Sequence, residues 1–197
     1  MPERTSSSGA RIGLLAAVAL CVAACAAPMP MVVNSSFADR APTAAAKAVP
    51  GPACRLTVAE VIDGRRAPDM LGIVSGRAIK SPSDPHAWLQ SILGGLATRG
   101  VSVDFDKDAV PTADSIVARV RLQSAWLTDT KTNKTANVVL HVEAERAGST
   151  KIERDYRGSL STINWSGGVG ETQRLVDDAF AEALNDMAAD FYRLCVR

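Results

Sequence analysis

The sequence predicts an α+β fold, a two-layer domain in which an antiparallel β-meander packs against two amphipathic helices behind a disordered N-terminal tether. Three observations predict it: alternating apolar and polar segments separated by short polar turns, two stretches with apolar residues at helical spacing, and an Ala- and Pro-rich run ahead of them.

The first strand is read at residues 55–62, RLTVAEVI, which is β-branched and alternating. The run DGRRAP at 63–68 breaks it, and residues 70–79 read as a short extended segment. A helix follows, because Asp84 can cap it, Pro85 suits the first helical position, and Leu89, Ile92, Leu93 and Leu96 fall on one stripe. Gly100 is expected to end this helix as a left-handed cap, and Val101, Val103 and Phe105 then alternate with polar residues as a short strand.

The meander is the most regular part of the chain. Ile116, Ala118, Val120 and Leu122 alternate with Val117, Arg119, Arg121 and Gln123, and after the turn TDTKTNK the pattern returns at Val138, Leu140, Val142 and Ala144. Gly148-Ser149 makes a second turn, and Ile152, Tyr156 and Leu160 mark a third strand. The last helix buries Val176, Phe180, Leu184, Met187 and Phe191, with Asp177, Asp178, Glu182, Asp186 and Asp190 placed largely off that stripe. Trp88 and Trp126 read as core or sheet-face packing.

The front of the chain divides it into 1–24, a signal peptide; 25–52, a lipidated cysteine and tether; and 53–197, the globular domain. Arg4 and Arg11 precede the apolar run IGLLAAVALCVAA at 12–24, whose 13 residues fall short of the ~20 that span a bilayer. Val22-Ala23-Ala24-Cys25 resembles a lipobox, in which Cys25 is acylated, palmitate among its acyl chains, and becomes the new N-terminus. The alternative is an ordinary signal cleaved near Ala27. Two or three acyl chains, at about 0.8 kcal/mol per buried CH₂, hold a protein on a membrane where one would not. Ala26, in place of an inner-membrane-retaining Asp, points by that resemblance to the periplasmic face of the outer membrane. The tether holds five of the ten prolines and as a coil would reach about 30 Å, with MPMVV at 29–33 as a segment that could pack back on the domain or dip into the membrane surface.

With Cys21 lost and Cys25 acylated, Cys54 and Cys195 remain at the two ends of the domain. In an oxidising compartment a disulfide between them is preferred, the alternative being two reduced, buried thiols. Without Glu3, Arg4 and Arg11 the chain carries 20 basic and 20 acidic side chains, so nothing in its charge favours a nucleic-acid partner.

The order of lipobox, tether, strand ending V-I-D-G-R-R, Leu71-Gly72 pair, helix ending L-A-T-R-G-V-S-V, meander and long last helix resembles the YajG-type bacterial lipoproteins. That resemblance implies an outer-membrane-associated lipoprotein with no assigned molecular role. The same architecture is similar to small envelope-assembly lipoproteins, including the partner of the lipopolysaccharide translocon and auxiliary lipoproteins of ABC transport systems.

No motif for an enzyme, cofactor or metal is expected. His86 and His141 lack a partner motif, and H-E-x-x-H, G-x-S-x-G, S-x-x-K and the phosphate-loop pattern are absent from the sequence. Gly167-Gly168-Val169-Gly170 reads as an entry turn and Asp178/Glu182 as a solvated face. Three residues are candidates for partner binding. Arg65 and Arg66 sit in the loop after the first strand, where ordinary surface charge is the plainer account, and Trp165 sits in a glycine-rich loop as either an interface anchor or a plug for the core. The expectation is a non-enzymatic, lipid-anchored interaction or assembly module with an envelope protein partner; the alternatives are a lipid- or glycan-binding lipoprotein, or an auxiliary subunit of an envelope transport system.

Overall fold

The computed structural model describes residues 28–38, 54–149, 151–163 and 168–196. The signal segment, Cys25 and Trp165 lie outside the described residues. The class is α+β, with one large sheet and two helices.

The strands are β1 (Met31–Val32), β2 (Cys54–Asp63), β3 (Met70–Val74), β4 (Arg77–Lys80), β5 (Val101–Phe105), β6 (Ile116–Asp129), β7 (Asn133–Arg146) and β8 (Ile152–Ile163). The helices are α1 (Pro85–Gly94) and α2 (Val169–Val196). β6, β7 and β8 pair antiparallel over almost their whole length. The other side of β6 is shared: its first half pairs parallel with β2, which pairs parallel with β5, and its second half meets β3 at Gly72 and Leu127. β3 pairs antiparallel with β4, and β1 lies parallel to β4 at the edge. The sheet is therefore mixed, not wholly antiparallel, and the segment at 70–79 is a hairpin that widens it.

Three further points refine the expected fold. α1 stops at Gly94, because the adjacent Gly94-Gly95 pair propagates a helix poorly. The chain rewinds into a 3₁₀ turn at Ala97–Arg99, and the left-handed Gly100 closes that turn instead of α1 itself. The expected start of α1 stands, with the Asp84 carboxylate accepting from the Ala87 N–H at 2.9 Å. Secondly, the MPMVV segment takes the first of its two expected courses and packs back on the domain: Met31 and Val33 are buried beside β4, and beyond it Phe37 meets Phe180 edge-on. Thirdly, Asp177 and Asp190 on α2 are buried, not solvated.

Both helices lie on one side of the sheet, and the space between is filled. Trp88, Leu89, Ile92 and Leu93 from α1 and Phe180, Leu184, Met187 and Phe191 from α2 meet Leu56, Leu122, Leu140 and Val142 of the sheet, all fully or almost fully buried. α2 approaches β8 closely enough that a Cβ on Gly158 would overlap the Ala179 carbonyl. The Arg99 guanidinium donates to Asn185 Oδ1 at 2.6 Å and to the Gly95 carbonyl at 2.7 Å, tying the turn after α1 to α2. A disulfide joins Cys54 at the start of β2 to Cys195 at the end of α2, as expected from the two leftover cysteines.

Candidate functional site

Among the described residues nothing covers the side of the sheet away from the helices, which is largely polar, and the candidate site lies there. Two β-bulges shape it. In β6 the register shifts between Leu122 and Ser124, and in β2 between Val58 and Glu60. A bulge adds one residue to a strand of period two, so every side chain beyond it changes face. Up to Leu122 the even-numbered residues of β6 point to the core; after the bulge Ala125 and Leu127 do, and Trp126 is turned outward, 42% exposed.

Trp126 lines an open groove of about 330 Å³ with Arg66, Ala67, Met70, Gln123 and Ser124. Arg66 is exposed there. Arg65, its neighbour in sequence, is not a surface residue. Its side chain is 4% exposed and its guanidinium forks onto Asp63 at 2.7 and 2.8 Å, donates to the Pro68 carbonyl at 2.8 Å and lies 5.6 Å from the Trp88 ring. The guanidinium thus holds the β2–β3 loop folded against α1 and is committed internally. Of the two arginines named from the sequence, only Arg66 faces solvent.

The rest of the face is a lattice of charges. Arg119 stands opposite Glu143, Arg121 opposite His141, and His141 opposite Asp155. His141 Nδ1 is 2.9 Å from Asp155 Oδ1, and its Nε2 is 3.8 Å from Glu153. Nδ1 is thus within hydrogen-bond distance of a carboxylate, while Nε2 has an exposed carboxylate nearby but beyond that distance. Lys151 donates to Glu143 at 2.6 Å, and this hydrogen bond holds the Glu143 carboxyl below its ordinary value. A second open depression, about 450 Å³, is lined by Glu60, Lys107, Val117, Arg119, Glu143 and Lys151 among others. Exposed pairs of this kind contribute little to stability. Their effect is to give the face a patterned potential. Among the described residues no group of three or more His, Cys, Asp or Glu side chains could hold a metal ion. Among them, too, no helix is long and apolar enough to cross a membrane.

Sequence reasoning placed Trp126 in the core or on a sheet face without choosing, and did not connect it with Arg66. The link depends on the bulge at Gln123, after which Ser124 breaks the alternation, and on the β3–β6 pairing that brings the β2–β3 loop alongside.

No protein-family model matches the chain, and no curated protein matches it. Among solved structures, it is similar to a Xanthomonas campestris protein of the DUF330 family, at 12% identity and a TM-score of 0.40, covering 82% of this chain and 90% of that one. It is also similar to a minor lipoprotein of Acinetobacter baumannii, at 14% identity and a TM-score of 0.36, covering 70% and 94%. A lipoprotein of Neisseria meningitidis is similar at 13% identity and a TM-score of 0.33, covering 66% and 99%.

Proposed function

We propose that this chain is a lipid-anchored envelope lipoprotein, held by acyl chains on Cys25 at the periplasmic face of the outer membrane, whose domain binds an envelope protein and catalyses nothing. The observation that carries the binding role is Trp126. A tryptophan turned out of a sheet by a bulge, beside an exposed arginine and in a groove, has the make-up of an interface anchor. The anchor itself rests on the V-A-A-C motif and the short apolar run before it. Trp165 keeps its standing as a second candidate from the sequence alone.

The alternative, a lipid or glycan held between sheet and helices, is disfavoured by the filled interior. Trp88, Phe180 and Phe191 occupy that space with no exposure, and the Gly158–Ala179 contact leaves no gap between β8 and α2.

Two measurements test the proposal. Cys25→Ala should abolish labelling by a fatty-acid analogue and release the protein from membranes; retention with labelling would refute the anchor. A photo-crosslinking amino acid at position 126 should give a discrete protein adduct in intact cells that Arg66→Glu diminishes by about tenfold, as loss of a hot-spot contact does. Absence of an adduct at 126, in a protein that melts normally, would refute the binding face.

A further inference from the structure

We infer that the end of the domain formed by the β3–β4 turn, the β6–β7 turn, the end of β8 and the start of α2 seats on the lipid surface to which Cys25 is anchored. This rests on the lipoprotein reading and adds to it an orientation and a contact surface.

The strand directions put these parts together. β6 ends at Asp129 and β7 starts at Asn133, which pairs with Ile163, the last residue of β8. Lys134, next on β7, is buried with its ammonium 3.1 Å from the Glu171 carboxylate, so the first turn of α2 is at this same end. β3 runs parallel to β6, and the Ser75 N–H in the β3–β4 turn donates to Asp129. β1 runs parallel to β4, which leads away from this end, so residues 28–30 enter the fold from it.

The chain length then fixes the height. Met31 is buried in the fold and is six residues after Cys25, a reach of at most about 20 Å even when fully extended. Acylated Cys25 lies at the headgroups, so the domain cannot stand off on a long tether. The far end, at the Gly148-Ser149 turn, is separated by the 14 residues of β7, about 45 Å. The near end is therefore the one that meets lipid.

Its surface suits that neighbour. Met29 is 85% exposed, and Val32, Ile73, Ile163 and Val169 are each more than half exposed. Val32 and Val169 line one depression together. Exposed apolar side chains gathered at one end, with exposed Arg77, Lys131 and Arg174 among them, are the composition that binds an anionic bilayer surface.

The test uses the mature acylated protein in vesicles of phosphatidylethanolamine and phosphatidylglycerol that contain a spin-labelled lipid. Val169→Cys and Ser149→Cys each carry a fluorophore, attached with the Cys54–Cys195 disulfide intact. Quenching by the spin-labelled lipid should be several-fold stronger at 169 than at 149, and Arg77→Glu with Lys131→Glu should reduce it. Equal quenching at the two positions, or none at 169 in protein whose Cys25 acylation mass spectrometry has verified, overturns the proposal alone. Absence of the acyl mass on Cys25 overturns the lipoprotein reading, and this proposal with it.

Discussion

Gly158 of β8 and Ala179 of α2 meet backbone to backbone: a Cβ on the glycine would stand 1.8 Å from the Ala179 carbonyl oxygen and 3.2 Å from the Ala183 nitrogen. Neither neighbour is the end of a flexible side chain, so relief requires moving the helix. Gly158→Ala should cost about 3 kcal/mol, the upper end for overpacking, read as a lower urea midpoint. An unchanged midpoint would mean that α2 can slide along the sheet.

The Asp63–Arg65 pair gives a contrast between neighbours. Removing one partner of a buried pair leaves the other charge without compensation, so Arg65→Ala should destabilise the domain by about 3–5 kcal/mol. Arg66→Ala, on the surface, should stay within about 0.5 kcal/mol. Comparable melting curves for the two variants would show that the guanidinium of Arg65 is not committed internally.

Tyr156 links stability to pH. Its ring is buried and its hydroxyl donates to Asp190 Oδ2 at 3.1 Å. Burial first, and the Asp190 charge second, push the phenol well above its ordinary value of 10.0. The folded state therefore keeps a proton that the unfolded state releases above about pH 10, and the stability this provides is complete below that pH and lost as pH rises further. Tyr156→Phe should lack this part of the alkaline decline. Parallel curves for variant and parent between about pH 8 and about pH 11 would refute it.

The disulfide closes a span of 141 residues. Chain entropy assigns so long a loop about 4–5 kcal/mol, an upper figure. Reductant, or Cys195→Ala, should lower the urea midpoint accordingly, and non-reducing peptide mapping should recover Cys54 and Cys195 as one linked pair. Two freely alkylated thiols in native protein would contradict the bond.

Much of the fold was legible because period is a local property. The alternation of β6 to β8 and the stripe Val176, Phe180, Leu184, Met187 and Phe191 are written in adjacent residues, and all five stripe residues are buried. What could not be read depends on residues far apart. The parallel pairing of β2 with both β5 and β6 has no local signature. Asp190 reads as a surface acid on α2 until β8 brings Arg154 to 2.6 Å from it and Tyr156 to 3.1 Å. Trp126 keeps the parity of core residues, and only the bulge reverses it.

The place of β2 in the sheet bears on the order of assembly. It is the first long strand of the chain, yet its two neighbours, β5 and β6, begin at Val101 and Ile116. β6, β7 and β8 can zip through short turns, whereas β2 must wait for partners about fifty residues or more downstream, and loops of that length close slowly. Folding should therefore start in the meander and finish with β2 pressed into its slot, the Cys54–Cys195 bond closing last. Pulse-labelled amide exchange would show protection in β6–β8 before β2; the reverse order would mean that α1, not the meander, is the nucleus. A chain delivered from its N-terminus would hold β2 unpaired until β5 and β6 had arrived, with β7 and β8 still to come, which makes β2 the segment most in need of shielding on the way.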